Sequence, residues 1–415
     1  MTAVSAPPQP DVTSPLAAQF VGRRYLNLVL VLGALSAIGP LTIDTYLPAL
    51  PALSAELGAS DVQAQTTITG LLVGLGLGQL VIGPLSDAFG RRRPLLLGLT
   101  GHALMSLLCA LAPSIMLLAV TRTLQGISGA AVAVVAMAMI RDLFTGRDAA
   151  KLLSRMILVL GVAPILAPSF GSALLEFTSW RGIFVVLAAM AVGLLVLAFV
   201  ALPETLPPAR RMPASIRSSL TAYAGLFRDR TFLVLVAISA LLFATLFAYI
   251  SGSPFILQGL YELSPQQFGL AFSANAVGLI LATQLNPLLL RRYRPMTILS
   301  VAVAVAFAGS LALLATALTG FGGLLGFMVP LWILISAIGF SFPNAPAVAL
   351  SRHGRTAGTA AALLGSAQFV VGGLIAPLVG VLDDGTAVPL AGIVVGTTGL
   401  AATLLVTSRR RLAAS

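Results

Sequence analysis

Twelve times between Leu26 and Thr407 the chain runs apolar for long enough to cross a bilayer. A membrane helix needs about 20 predominantly apolar residues. Runs of that length, punctuated by glycine and proline, cover residues 26–53, 65–86, 92–112, 115–140, 152–175, 182–202, 231–255, 266–290, 296–318, 322–349, 356–381 and 387–407. Only 9% of the residues are charged and 58% are hydrophobic, against about 25% charged in soluble domains. The pattern selects an all-α membrane protein with twelve transmembrane helices.

The net charge of +11 would suit a nucleic-acid partner, but its placement argues for topology instead. With the N-terminus in the cytoplasm, 22 of the 24 lysines and arginines fall in cytoplasmic segments. Glu56, Asp61, Glu176, Glu262, Asp383 and Asp384 fall in the outer loops. That split follows the positive-inside rule and places both termini in the cytoplasm. The expected surroundings are a lipid bilayer, with no nucleic acid. The two exceptions are Arg181, outside, and Arg122, within the fourth span. Cys109 is the single cysteine and lies in a span, so no disulfide framework and no thiolate metal site is expected. Residues 1–20 are rich in proline and alanine and lack the order of a signal peptide; they read as a disordered tail. One lysine against 23 arginines, with abundant alanine, points to a GC-rich bacterial genome and so to a bacterial cytoplasmic membrane.

The span pattern breaks once, at "PETLPPARRMPASIRSSLTAYAGLFRDR", residues 203–230, the longest polar connection. Six spans precede it and six follow. "LAPSFG" in the fifth span echoes "IAPLVG" in the eleventh, and "GPL…RRRP" after the second echoes "NPLLLRRYRP" after the eighth. The expected division is a tail 1–24, a six-helix bundle 25–202, a linker 203–230, a second bundle 231–407 and a tail 408–415. Such pseudo-symmetric halves, rocking about a central site, are one known transporter plan.

Within this apolar chain "LTIDTYLPALP" (Leu41–Pro51) carries an acid, Asp44. A carboxylate near the bilayer centre costs about 2.5–3.5 kcal/mol on insertion scales. Arg122, in "RTLQGISGAA", is the buried-looking base, and Gln125, Gly126 and Gly129 share its helical face. Two readings follow. One is an ion pair pinning the first span to the fourth; the other is a titrating site in a wetted cavity, loaded and released as the distance between the charges changes. The second is favoured, because a staple needs no acid when a packed apolar pair is as stable.

Two further constellations stand out. In "GVAPILAPSFGSA" of the fifth span, Gly161, Pro164, Pro168 and Gly171 share an arc of about 80°, where prolines bend the helix and glycines allow close packing. In "GPLSDAFGRRRP", between the second and third spans, Asp87 and Arg91 are i, i+4 neighbours if the helix runs past the surface, and Gly90 permits the turn.

Together these stretches resemble the major facilitator superfamily, and within it the twelve-helix drug:proton antiporters, over roughly Tyr25 to Thr407. Gly83–Arg92 is similar to its signature loop, "RTLQG" to its fourth-span motif, and Gly161–Gly171 to its antiporter motif. "IDTYLPALP", "RDLFTGRDAAKLLS", "SWRGIF", "FAYISGSPFILQGLYELSPQQFGLAFSANAVGLI" and "FPNAPAVAL" resemble the Bcr/CflA drug-resistance branch. The resemblance implies that Asp44 is the protonation site and that Arg122 couples proton to substrate. It implies that Gly83, Asp87, Gly90, Arg91, Arg92 and Asp142 form a charged lock joining spans 2, 4 and 11 in the outward-facing state. Pro164, Pro168 and Gly171 would form the bend that prevents leakage. The sequence departs at Ala88, where a base is usual, and at Ser172, where a second glycine is usual.

Polarity within otherwise apolar spans marks Tyr46, Gln125, Tyr249, Asn275, Gln284, Asn344 and Gln368 as substrate-contact candidates. His102 reads as a packing or hydrogen-bonding residue. The expected activity is exchange of one inward proton for one outward drug molecule. One charge moved through 100 mV is worth about 2.3 kcal/mol, roughly a fortyfold gradient. The lone acid and lone arginine favour small neutral or weakly polar drugs, and the branch resemblance points to phenicols or bicyclomycin-like compounds. An exporter of an endogenous metabolite or amino acid would share the fold. The sequence offers no phosphate loop and no nucleophile–base or metal constellation, so neither ATP hydrolysis nor enzyme chemistry is expected. The proton is the expected coupling ion, with no cofactor and a monomeric chain.

Overall fold

The computed structural model describes residues 23–144, 152, 162–211, 221, 223–351, 353 and 356–408. Among these, eleven helices are long and apolar enough to cross a membrane: α1 Tyr25–Glu56, α2 Asp61–Phe89, α3 Arg92–Ala110, α4 Ile115–Leu143, α6 Trp180–Ala201, α7 Arg230–Leu260, α8 Pro265–Leu289, α9 Pro295–Thr319, α10 Gly323–Leu350, α11 Ala357–Val381 and α12 Val388–Thr407. A shorter apolar helix, α5, runs Val162–Leu174. The rest of the expected fifth span, with Gly161, lies outside the described residues. The numbering of helices therefore matches the numbering of expected spans, and their limits agree to within a few residues except at the start of the fifth, which falls outside the described residues.

Local chemistry sets several limits. Ser60 and Ser264 each accept a hydrogen bond from the backbone three residues on, while Gln63 and Gln267 reach back to the cap N–H. These reciprocal boxes satisfy the first N–H groups of α2 and α8. Asp229 caps α7 in the same spirit. The helix Arg23–Asp44 of α1 stops at Asp44, followed by a 3-10 turn Leu47–Ala49 and a short helix Leu50–Glu56. Pro48 lacks the N–H that would have bonded the Asp44 carbonyl four residues earlier, so the break falls where the acid sits. Pro254 acts similarly in α7, which ends as a π turn, Ile256–Leu260.

The helices pack in two groups, α1–α6 and α7–α12, and among the described residues these meet through α2 against α11 and α5 against α8. Within the first group α2 and α4 lie backbone to backbone. A side chain at Gly70, Gly74 or Gly126 would strike a main-chain atom of the opposite helix. Small residues spaced four apart permit that approach, and dispersion contacts hold it in lipid. Two buried apolar clusters result, one centred on α1, α3, α4 and α6 toward the termini, the other running through the opposite end of the first group and most of the second.

The two ends differ. At the end remote from the chain termini the groups are bonded together. Gln258 Nε2 donates to the Pro48 carbonyl at 3.2 Å, the Gly380 N–H to Gln65 Oε1 at 3.0 Å, and Ser172 Oγ to the Pro265 carbonyl at 2.7 Å. At the terminal end a cavity of about 690 Å³ separates α2 and α4 from the start of α11.

Candidate transport site

Asp44 is buried at the break in α1, and its Oδ1 has no hydrogen-bond partner among the described residues. The carboxylate lies within electrostatic reach of Tyr249 of α7, in the other helix group. Tyr249 is itself buried, stacks on Phe272 with ring centroids 5.2 Å apart, and accepts a hydrogen bond from Asn275 Nδ2 at 3.2 Å. Asn275 Oδ1 is unpartnered. Asp44, Tyr249 and Asn275 thus form a polar group where the two bundles meet.

Arg122 lies elsewhere. It is 0% exposed, inside the first bundle. Its Nη1 donates to the Thr42 carbonyl at 3.2 Å and to Gln125 Oε1 at 2.8 Å. The guanidinium carbon stands 4.2 Å from the Tyr46 ring centroid and 5.5 Å from that of Phe184, so aromatic faces supply much of its stabilisation. The Asp44–Arg122 ion pair of the less favoured reading is not formed in this conformation. The guanidinium is taken up by two rings and a carbonyl, and the break in α1 leaves the carboxylate within reach of α7. Tyr46 serves Arg122 with its ring while its hydroxyl lies 3.1 Å from Thr67 Oγ1. Gln125 passes the chain on to Ser106 at 2.7 Å.

The other candidates separate. Asn344 is buried and donates to Asn286 Oδ1 at 2.6 Å, tying α10 to α8. Gln368 donates to Ser239 Oγ at 2.7 Å, tying α11 to α7. Gln284 is exposed, on the side of α8 opposite Asn275, since nine residues at 100° each make half a turn beyond two full ones. The structure does not bring it to the group around Asp44.

The loop after α2 forms a compact charge cluster. α2 runs to Phe89, and Arg91 Nη1 meets Asp87 Oδ1 at 2.6 Å while its Nε meets Asp142 Oδ2 at 2.8 Å. Burial opposes the Arg91 charge, but its bonds to Asp142 and Asp87 outweigh that and hold the guanidinium above its ordinary value. Gly90 turns the chain with φ +88°, and a side chain there would strike Glu204. Arg92 donates to the Phe199 carbonyl at 2.6 Å, and Gly83 lines the 690 Å³ cavity. The cluster binds α2 to α4, but not to α11: the cavity lies between Asp87 and Thr356, Gly358 and Thr359. The expected three-span lock is therefore closed on one side only in this conformation.

Glu204, unassigned by sequence reasoning, completes the cluster. Its carboxylate accepts the backbone N–H groups of Arg91 and Arg92 at 2.8 and 3.2 Å, where α3 begins. An anion is favoured at a helix N-terminus. Thr205 donates to Asp142 at 3.1 Å. The signal was present as "PET" directly after the sixth span, but its target lies more than a hundred residues earlier.

In α5, Gly171 packs against Thr45, and an added side chain would collide with the Thr45 carbonyl. The bend motif therefore touches α1 one residue past Asp44. Ser172, in place of the usual glycine, has its Oγ 2.8 Å from the Pro168 carbonyl and 2.7 Å from the Pro265 carbonyl of α8, so its single proton is shared between the two. Pro164 and Pro168 lie within this helix.

The chain and its fold have counterparts among known proteins. The chain is 37% identical to the uncharacterised MFS-type transporter YdgK of Bacillus subtilis, over 90% of this chain and 92% of that one. It is 32% identical to the bicyclomycin resistance protein homolog of Haemophilus influenzae, over 87% and 91%, and 26% identical to the chloramphenicol resistance protein of Pseudomonas aeruginosa, over 85% and 83%. Among solved structures, the D-xylose–proton symporter superposes with a TM-score of 0.75 at 16% identity, covering 92% of this chain and 97% of that one. The Major Facilitator Superfamily profile matches residues 30–377. This chain belongs to that superfamily of membrane transporters.

Proposed function

We propose that the chain is a proton-coupled antiporter that exports small neutral or weakly polar drugs, of the phenicol or bicyclomycin kind, by alternating access. The drug class is supported by the relatives called bicyclomycin resistance protein homolog and chloramphenicol resistance protein. The coupling rests on Asp44, a buried carboxyl at a helix break, paired with no cation among the described residues and set where the two bundles meet. A group so placed changes its hydration whenever the bundles swing, and hydration governs whether a carboxyl holds its proton.

In this reading the membrane is the bacterial cytoplasmic membrane and both termini are cytoplasmic, as the arginine distribution favours. The 690 Å³ cavity then opens inward, and the bonded end faces out. Residues 25–202 and 231–407 act as the two rocking bundles. Protonation of Asp44 from outside neutralises it for the return swing; release inside accompanies drug binding near Tyr249 and Asn275. Arg122 sets the local field and holds Thr42, while the Asp87–Arg91–Asp142 cluster engages α11 when the inner side closes. The proton is the only coupling species required, no cofactor enters, and a single chain suffices.

Susceptibility of a sensitive host expressing the wild type or Asp44→Asn tests this. The wild type raises the inhibitory concentration of at least one such drug, and Asp44→Asn does not. In everted vesicles the drug collapses an imposed pH gradient only with the wild type. Equal resistance from both proteins refutes the role of Asp44; gradient collapse by a metabolite and by no drug identifies an endogenous cargo instead.

A further inference from the structure

His102 has no part in the scheme above, yet it is 1% exposed at the centre of the first bundle. Its contacts determine its tautomer. Thr42 Oγ1 lies 2.6 Å from the Ile38 carbonyl and 3.1 Å from His102 Nε2. A hydroxyl has one proton to donate, and a carbonyl can only accept. The Thr42 proton is therefore committed to Ile38, and the contact to His102 must be an Nε2–H donating into the Thr42 oxygen. Nδ1 is then the bare nitrogen. It meets no hydrogen-bond partner in good geometry among the described residues, although the Gln125 backbone lies close enough to act on the ring.

The contact closes a circuit. The Thr42 carbonyl accepts from Arg122 Nη1, which also donates to Gln125 Oε1. Gln125 Nε2 donates to Ser106 Oγ at 2.7 Å, and Ser106 Oγ donates to the His102 carbonyl at 2.7 Å. Five residues on α1, α3 and α4 form one ring, although Arg122 Nε and Nη2 stay outside it without a partner among the described residues. Thr42 is the only member on α1, and it stands two residues before Asp44, in the last turn before the break. The ring therefore fixes the height and rotation at which α1 presents the acid to α7.

We propose that His102 is a positioning residue of the transport site: as the Nε2–H tautomer it anchors Thr42 and so holds Asp44 in place between the bundles. The functional half of this proposal rests on the antiport reading; the anchoring half rests on hydrogen-bond geometry alone.

The two halves are tested separately. The chain has two histidines, so selective 15N labelling yields signals from His102 and His353, and His353→Asn leaves His102 alone. The expected spectrum is a neutral ring protonated on Nε2. A ring protonated on Nδ1, or an imidazolium at neutral pH, overturns the anchor. In liposomes His102→Leu is expected to lower kcat about tenfold with KM held within about twofold, since displacement of a reacting group affects turnover more than binding. His102→Gln, which can place an N–H near the Nε2 position, restores at least half of the rate. Thr42→Val, which removes the acceptor, should match His102→Leu, and the double variant should be no worse than either alone. Wild-type turnover in His102→Leu, failure of glutamine to rescue, or additive losses in the double variant overturn the positioning role. If the wild type moves no protons with substrate, the antiport reading falls, and the labelled spectrum still decides the anchor.

Discussion

Arg181 is the one arginine that the positive-inside expectation places on the outer side, and its partners explain the exception. Its Nη1 donates to the carbonyls of Ala110 and Ala112, at 3.0 and 2.8 Å, where α3 ends. Its Nη2 meets Glu56 at 3.1 Å, and Trp180 Nε1 holds the other oxygen of that carboxylate at 2.8 Å. A cation is favoured at a helix C-terminus, so one residue caps α3 and ties it to α1 and α6. Arg181→Met should cost about 1–2 kcal/mol, read as a lower Tm in detergent, and Arg181→Lys should recover only part, because lysine lacks the planar fork. An unchanged Tm in Arg181→Met would remove this account. At this scale the sequence was legible where charge is rare: Asp44 and Arg122 stand out in an apolar field. Their partners were not legible. Arg122 leans on ring faces, a main-chain carbonyl and Gln125, and Glu204 meets the start of α3 from more than a hundred residues along the chain; neither leaves a spacing in the sequence.

The helices themselves were more readable, because each crossing is a long apolar run with polar ends and capping residues such as Ser60 and Ser264 mark where some begin. What the runs conceal is interruption. Pro48 and Pro254 were visible, but not that α1 would break into a 3-10 turn and α7 end as a π turn. The contact between α5 and α1 is the sharpest case. Gly171→Ala would drive a methyl group into the Thr45 carbonyl, with main chain on both sides and no side chain able to yield. Overpacking of this kind costs about 1–3 kcal/mol. Gly39→Ala, on the same α1, meets nothing within 4 Å and should leave stability unchanged or slightly improved, as alanine favours helix. Thermal melting of the two variants side by side checks the contrast, with efflux expected to fall in Gly171→Ala alone. Comparable Tm values for both would show that α5 has room to shift.

Over the whole molecule, alternating access requires that one set of bonds between the bundles exclude the other. In this conformation the set remote from the chain termini is made: Gln65 accepts the Gly380 N–H at that end of α11, Gln258 reaches Pro48, and Ser172 reaches Pro265. The set at the terminal end is open at Asp87. With both termini cytoplasmic, as proposed above, these are the outer and the inner set. Gln65 is buried among apolar neighbours, so Gln65→Leu keeps the volume but leaves the Gly380 N–H without its partner, a loss of about 1–3 kcal/mol confined to the outer-closed state. The outward-open state frees both groups to water and does not bear that loss. A bias of 1.4 kcal/mol is tenfold in population, so the equilibrium should move outward by about that factor or more. Spin labels at Ala55→Cys and Asp384→Cys, one on each bundle at the outer end, should show a longer distance component that grows in Gln65→Leu. A second pair across the inner cavity should shorten in step, because the bundles swing as bodies. Growth of the outer distance with no inner shortening would mean that Gln65 fastens α11 locally and does not govern the swing.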